Sequence, residues 1–325
     1  KEDYFTKLLN LENGTPSHDC LSDLYASIDP KQFMKIFIEW TKDILEKKTG
    51  KKISIDGKAI KSATDKINNG NIPYIVSAFI GEIGLSIGEV KVDDKSNEIT
   101  AIPELLDLLD IEGATITIDA IGTQEDIVNK IVNKGGHYVL PVKDNQRILK
   151  KEIKSQFDSY NNLLGNPEVF HKSTVDKDHG RIEEREYYLT YNTSKITDKE
   201  KWNTVNAVAY MRVTRTERDE TTITDNYYII DNKIEIDKLI DAIRDHWNIE
   251  CGLHWRLDVI LDEDHSTNKV GNSIENLSII RKIIFNLASL DNRFGKVPLQ
   301  RKLTRYMLDF ENIEKLIFEV IPSIS

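Results

Sequence analysis

The order of strand-like and helix-like segments predicts an α/β (α+β) fold: a mixed sheet with flanking helices, interrupted by a β-rich insertion and preceded by a helical N-terminal remnant. Three observations carry this. Residues 51–142 hold five β-patterned runs, with helical spacing between the later ones. Residues 160–232 concentrate Thr, Tyr, Val and charge in strand-length runs. From residue 235 onward the helical period returns.

Residues 3–11 and 31–47 have helical apolar spacing, with Phe33, Ile36, Phe37, Trp40, Ile44 and Leu45 at three- and four-residue steps. Asp29-Pro30 reads as an N-cap followed by proline in the first turn, and Gly50 ends the segment. Residues 52–56 alternate up to Gly57, and the β-rich runs 72–80 and 85–92 are joined at Gly81 to Gly84, a hairpin turn. A helix is expected over 103–109, a β-branched strand over 114–119, and an amphipathic helix over 123–134 closed by Gly135-Gly136. Residues 137–142 form another short strand and 144–157 a polar helix. Strand, strand, strand, helix, strand, helix, strand is the ribonuclease-H-like order. Within the insertion, strands are expected near 185–192, 205–215 and 221–231, followed by helices over 235–250, 272–290 and 299–318. The expected units are residues 1–50, a helical N-terminal region; 51–158, the first part of the core; 159–232, the insertion; and 233–325, the second part with C-terminal helices. Lys1 stands where an initiator Met would, so a preceding N-terminal portion is expected.

Composition narrows the function. A hydrophobic fraction of 39% and a charged fraction of 30% are ordinary for a water-soluble chain. No apolar run approaches the roughly 18 residues of a membrane span, and the start does not read as a secretion signal, so no membrane association and a cytoplasmic location are expected. Cys20 and Cys251 are far apart and outside any CxxC pair, which argues against a disulfide framework or a zinc site. The net charge of −10 weighs against a nucleic-acid partner, because phosphate neutralisation by Lys and Arg dominates nonspecific affinity. Distribution matters more than the sum.

Three carboxylates stand out. Asp56 closes the first strand, Asp119 closes the fourth, and Glu250 falls late in the first helix after the insertion. In this sheet order the first and fourth strands are neighbours, so the aspartates face each other at one end. Clustered carboxylates without histidine suit a hard cation, Mg²⁺ or Mn²⁺. Two such ions would activate a water or a 3′-hydroxyl and stabilise the leaving oxygen of a phosphodiester. Carboxylates at strand ends are also common as caps, so position alone leaves both readings open.

The neighbouring residues decide between them. Ser54-Ile55-Asp56-Gly57-Lys58, Ile118-Asp119-Ala120-Ile121-Gly122-Thr123-Gln124, and Tyr138 through Lys143-Asp144-Asn145-Gln146 occur in order, followed by His179-Gly180-Arg181-Ile182-Glu183. Arg244-Asp245-His246-Trp247-Asn248-Ile249-Glu250 then runs on through Leu253-His254-Trp255 and Leu257-Asp258-Val259 to Glu263-Asp264. Together these resemble the ISAs group of insertion-sequence transposases, the H-repeat-associated proteins of the DDE superfamily, related to the insertion-sequence-four-like proteins. The resemblance covers nearly the whole chain from about Gly14-Thr15-Pro16-Ser17-His18. It implies Asp56, Asp119 and Glu250 as the catalytic, metal-binding triad for two Mg²⁺ ions. It further implies DNA as partner, cleavage at transposon ends with strand transfer into target DNA, and a homodimer in the synaptic complex. The family usually begins with a further N-terminal segment and has Asn where this chain has Cys251.

Lys143, Asn145, Gln146, His179, Arg181, Arg244 and His246 are secondary candidates for contacting DNA, each with a bland alternative: a polar helix start, a solvated turn, or packing for His246. His254 reads as a weak metal-ligand candidate, since magnesium prefers oxygen. Trp247 and Trp255 are expected in the core, with stacking on a displaced base as the alternative, and Trp202 likewise. Arg212, Arg215 and Arg218 suggest a basic edge on the insertion. The rival functions are a catalytically silent DNA-binding relative and a structure-selective nuclease on the same fold, with a metabolic hydrolase more distant.

Overall fold

The computed structural model describes residues 2–45, 51–60, 72–92, 98–160, 163–178, 180–218 and 220–320. Gly50 and His179 lie outside them. Among the described residues, nine strands form one sheet: β1 (Lys52–Ala59), β2 (Tyr74–Ile80), β3 (Leu85–Val92), β4 (Thr115–Ile118), β5 (His137–Val142), β6 (Phe170–Asp178), β7 (Arg181–Thr190), β8 (Ala207–Glu217) and β9 (Glu220–Ile230), in the order β3-β2-β1-β4-β5-β9-β8-β7-β6. β1 to β3 are an antiparallel meander, its turn made by Gly84 at φ +65°, while β4 runs parallel to β1 and β5 parallel to β4. This is the ribonuclease-H-like arrangement that the element order predicts.

Two features depart from the sequence reading. The insertion holds a fourth strand, β6, and β9 pairs with β5 from Val139↔Ile230 to Val142↔Tyr227, so the insertion strands continue the core sheet. β6 is an exposed edge strand on which polar residues fill both faces, so it carries no apolar alternation to betray it.

Alternation along β1 sorts the two sides of the sheet. Ile53 and Ile55 enter an apolar cluster with Ile116, Ile118, Leu105 and Ile127, which buries α4 (Glu98–Leu108) and α5 (Glu125–Asn133). Leu149, Ile153 and Phe157 of α6 (Arg147–Asp158) extend it beneath Tyr210 and Tyr227. Ser54 and its alternating neighbours Asp56 and Lys58 face the other way, toward helices supplied about 190 residues later. There α7 (Ile236–Asn248) packs Leu239, Ile240 and Ile243 on Val139, Tyr187, Ala209 and Tyr228. A third cluster seats α8 (Trp255–Val259), α9 (Ser273–Leu290) and α10 (Leu299–Leu308) through Leu257, Phe285 and Tyr306 against Phe79.

At the N-terminal end, α1 (Glu2–Leu8), α2 (His18–Ser27) and α3 (Pro30–Leu45) precede the sheet. Asp29 caps α3 as expected, its carboxylate accepting from Lys31 N at 2.9 Å, and Ser17 caps α2. Asn276 on α9 donates to the Tyr25 carbonyl at 2.8 Å, fastening α2 to the C-terminal layer. Among the described residues no helix is long and apolar enough to cross a membrane.

Behind the sheet, Lys282 of α9 and Glu89 of β3 form an ion pair that is almost wholly buried, and Ser278 Oγ lies 2.9 Å from the same carboxylate. Burial pushes the Glu89 carboxyl up, against the pull of Lys282. Removing one partner strands the other charge in the interior. Lys282→Met is therefore expected to lower unfolding free energy by about 3–5 kcal/mol, whereas the paired change Lys282→Met/Glu89→Leu should recover most of that loss. Urea denaturation of the three proteins checks this.

Candidate active site

The site begins with a register. Ile55 stands opposite Ile118 in the parallel β1–β4 pair, so the next residues, Asp56 and Asp119, emerge side by side on the helix-facing side. Asp119 leaves the strand and caps the short turn 120–122, accepting from Ile121 N at 2.9 Å. Gly122 is required there: a Cβ would lie 2.5 Å from Ile118 Cγ2 and 2.7 Å from its Cβ. The turn is braced from the next strand end. Asn145 Nδ2 donates to the Ala120 carbonyl at 2.6 Å, Gln146 Nε2 donates to the Thr123 carbonyl at 3.0 Å, and Thr123 Oγ1 donates to the Pro141 carbonyl at 2.7 Å. Asn145 and Gln146 thus spend their amides on the Asp119 loop, while Lys143 faces open space.

Glu250 arrives from the opposite layer. After α7 the helix widens into a π-helical stretch, Ile249–His254, before α8. Such widenings recur at functional sites and shift which side chains share a face. Ile249 and Leu253 are buried, while Glu250 is exposed toward the aspartates. Trp247, 63% exposed, borders the groove that holds Glu250, while Cys251, Trp255 (55% exposed) and Val259 are exposed outside its lining. The core expectation for these two tryptophans is thereby overturned. Trp202, at 3%, is buried.

All three carboxylates line one groove of about 990 Å³, running across the sheet face beneath the C-terminal half of α7. Its near wall is Asp56, Thr117, Asp119, Asp245 and Glu250. Its far wall is the inner face of β7 to β9, where the register aligns Arg185, Val213 and Thr224 in one row and Glu183, Arg215 and Thr222 in the next. Arg181, Arg185 and Arg215 surround Glu183, with Arg181 Nε and Arg215 Nε both 3.6 Å from its Oε2, and Arg244 Nη2 lies 3.4 Å from Asp176. Lys143 lies between the walls. Arg212 faces the opposite side and pairs with Asp225 at 3.0 Å, because residues three apart on a strand point to opposite faces. The expected edge of Arg212, Arg215 and Arg218 does not form. Arg185 was missed in the sequence. Its only signal is period-two spacing from Arg181.

The electrostatics are those of a carboxylate cluster short of positive charge. Burial, then the charges of Asp119 and Glu250, push the Asp56 carboxyl up to about 7. His246 is mostly buried, its Nδ1 3.2 Å from Thr117 Oγ1, and burial lowers its pKa, so it is neutral and ties α7 to β4. Thr117 Oγ1 in turn donates to Ser54 Oγ at 3.1 Å. His254 Nδ1 lies 3.5 Å from Asp56 Oδ2, and burial with the nearby ammoniums of Lys282 and Lys58 drives its pKa down to about 3. Among the described residues, no three His, Cys, Asp or Glu side chains converge tightly enough to grip an ion in this arrangement.

The sheet order and the two aspartate-bearing strand ends place the chain in the ribonuclease-H-like class. Residues 50–287 match the family described as transposase DDE domain. The putative protein YbfL of Escherichia coli K12 is 37% identical over 312 residues, covering 94% of this chain and 82% of that protein. The H repeat-associated putative transposase YhhI of the same strain is 36% identical with the same coverage. The putative transposase YncI of Escherichia coli O157:H7 is 36% identical over 319 residues, 97% of this chain and 81% of that one. A cryo-EM structure of the piggyBac transposase synaptic complex with hairpin DNA aligns with 93% of this chain and 60% of its own, at 12% identity and a TM-score of 0.44. The chain belongs to the DDE transposase family and is a DNA transposase of the insertion-sequence type.

The raised Asp56 pKa has a sign. In the absence of metal the folded protein holds a proton at Asp56 that the unfolded chain releases near the ordinary aspartate value of 3.8. That contribution to stability is fully present below about 3.8 and is lost as pH rises through about 7. Thermal melts of metal-free protein between those limits should show the decline, and Asp56→Asn should flatten it. An unchanged slope in the variant would remove Asp56 as its source.

Proposed function

We propose that Asp56, Asp119 and Glu250 hold divalent ions, Mg²⁺ or Mn²⁺, and that the groove cleaves phosphodiesters at transposon ends and joins the freed 3′-hydroxyl to target DNA. One observation supports this best: carboxylates from β1, β4 and the π-helical stretch share a groove whose other wall carries guanidinium groups. Membership in the DDE transposase family implies use of a divalent metal. The donor set fits such an ion, because its oxygens are hard ligands, and burial followed by the charges of Asp119 and Glu250 raises the Asp56 pKa, a strain that a bound cation would relieve. Divalent ions held there would supply activation of the attacking oxygen and stabilisation of the leaving one.

The chain's own residues do the rest. Asp56 feels the charges of both Asp119 and Glu250, so it would share in holding a cation with either. Asn145 and Gln146 support the DNA reaction indirectly by holding the Asp119 turn, and His246 by seating α7. Lys143, Arg181, Arg244 and, by its place beside Arg181, His179 are the proposed phosphate contacts, joined by Arg185 and Arg215. Three strand spacings of about 4.8 Å separate β4 from β8 and four separate it from β7, so Arg215, Arg181 and Arg185 would meet backbone roughly 14–19 Å across the sheet from Asp119, several phosphates along one strand. This local basic wall is how a chain of net charge −10 meets DNA. Action in the cytoplasm, by a homodimer that pairs two ends, completes the reading.

Cleavage of a labelled duplex carrying the element's own terminal sequences, in Mg²⁺ or Mn²⁺, tests it. Wild type should nick the ends and transfer the 3′-end to a second duplex, while Asp119→Ala falls to background without losing DNA affinity. Hydrolysis without joining would favour a nuclease. No metal-dependent cleavage at all would favour a silent relative.

A further inference from the structure

Two motifs of the sequence lie outside the groove lining: Lys58, just beyond Asp56, and the Asp258 to Asp264 stretch that follows Glu250. The fold brings them together. Lys58 Nζ contacts Asp258, lies 2.5 Å from Glu263 Oε2 and 3.9 Å from Asp264 Oδ1, with its side chain 11% exposed. Glu263, 2% exposed, also lies 3.2 Å from Ser278 Oγ, which accepts from Lys282 Nζ at 2.9 Å. Ser278 has one proton for two carboxylates, Glu89 and Glu263, so it couples the two ion pairs.

This cluster closes a ring around the proposed chemistry. Asp56 and Lys58 sit two apart on β1 and point to the same side. Glu250, His254 and Asp258 recur at four-residue steps along the π-helical stretch and α8, the same face turned toward β1. His254 touches Asp56 at 3.5 Å and Asp258 contacts Lys58, so the strand bearing one carboxylate and the helical segment bearing another are joined at two consecutive levels. An apolar contact would give comparable burial but no fixed register. A charged hydrogen-bond network has one geometry in which every partner is satisfied.

We propose that Lys58, Asp258 and Glu263 are positioning residues, a buried ion-pair ring that fixes the spacing and register between the strand end at Asp56 and the helical segment at Glu250. The assignment rests on the metal-dependent reading above. Its role is separable from stability, because replacing a buried ion pair by neutral groups of similar volume restores folding energy without restoring the charged geometry.

The test compares wild type, Lys58→Met, Lys58→Arg, the neutralised triple variant Lys58→Met/Asp258→Asn/Glu263→Gln, and Asp119→Ala. The readouts are melting temperature, DNA affinity, Mn²⁺ binding by calorimetry, and cleavage kcat and KM. Lys58→Met should lose both melting temperature and kcat. The triple variant should regain the melting temperature yet keep kcat and Mn²⁺ affinity down by about 10–100-fold, with KM for DNA within about twofold of wild type. Lys58→Arg should recover part of kcat.

If the triple variant recovers kcat along with stability, or if Lys58→Met leaves kcat and Mn²⁺ affinity unchanged, the ring serves folding alone and the proposal is overturned. Asp119→Ala separates the two levels. Mn²⁺ binding and cleavage that do not depend on Asp119 sink the metal-dependent reading itself, and the positioning role with it.

Discussion

The parallel pairing of β1 with β4 is the constraint on which the rest depends. Its register, Ile55 against Ile118, puts two isoleucines into the core and the next two residues, Asp56 and Asp119, at one lip of the sheet. A slip of one residue in either strand would turn that strand over, burying its aspartate among Leu105 and Ile127 and turning its isoleucine into the groove. The apolar cluster therefore selects the placement of the two aspartates as a by-product of its own packing. Asp119 needs further support because β4 is short, and the Gly122 turn braced by Asn145 and Gln146 supplies it.

On the helix-facing side the sheet is layered by polarity. Ser54, Thr117 and His246 form a hydrogen-bonded seam below α7; Asp56, Asp119 and His254 come next; Lys58 and Glu263 follow. Each level joins a strand residue to one from the C-terminal helices. Both histidines are kept neutral by burial, so they contribute directional contacts without adding charge beside the carboxylates. The widened helix at Ile249–His254 lets Ile249 and Leu253 stay in the core while Glu250 faces the groove.

The acidic total charge and a DNA-facing function are reconciled by segregation. Carboxylates gather on one wall of the groove, and arginines gather on β7 and β8, strands that reach the groove only because β9 adds to β5. The insertion is thus one sheet with the core, carrying its inner face to the same opening. Asp176 and Glu183 hold the guanidiniums in place, and Arg185 in turn keeps the Asp176 carboxyl below the usual range.

Much of this was legible in one chain. Alternation gave β1, β-branched and apolar runs gave β4 and β5, Asp29-Pro30 gave the start of α3, and the ordered motifs gave the family and the proposal of its three acids, because these are local patterns of period and spacing. What stayed hidden depended on distant partners. β6 carries no apolar period, the exposure of Trp247 and Trp255 depends on which elements cover their helices, and Arg212 and Arg215 part company only once a strand is drawn. Lys58 and Glu263 are 205 residues apart, and no spacing rule pairs them. The sequence by itself determined the elements, the family and the carboxylates. Only the tertiary structure decided which charges meet, because long-range pairing is set by how the two faces of the sheet are covered.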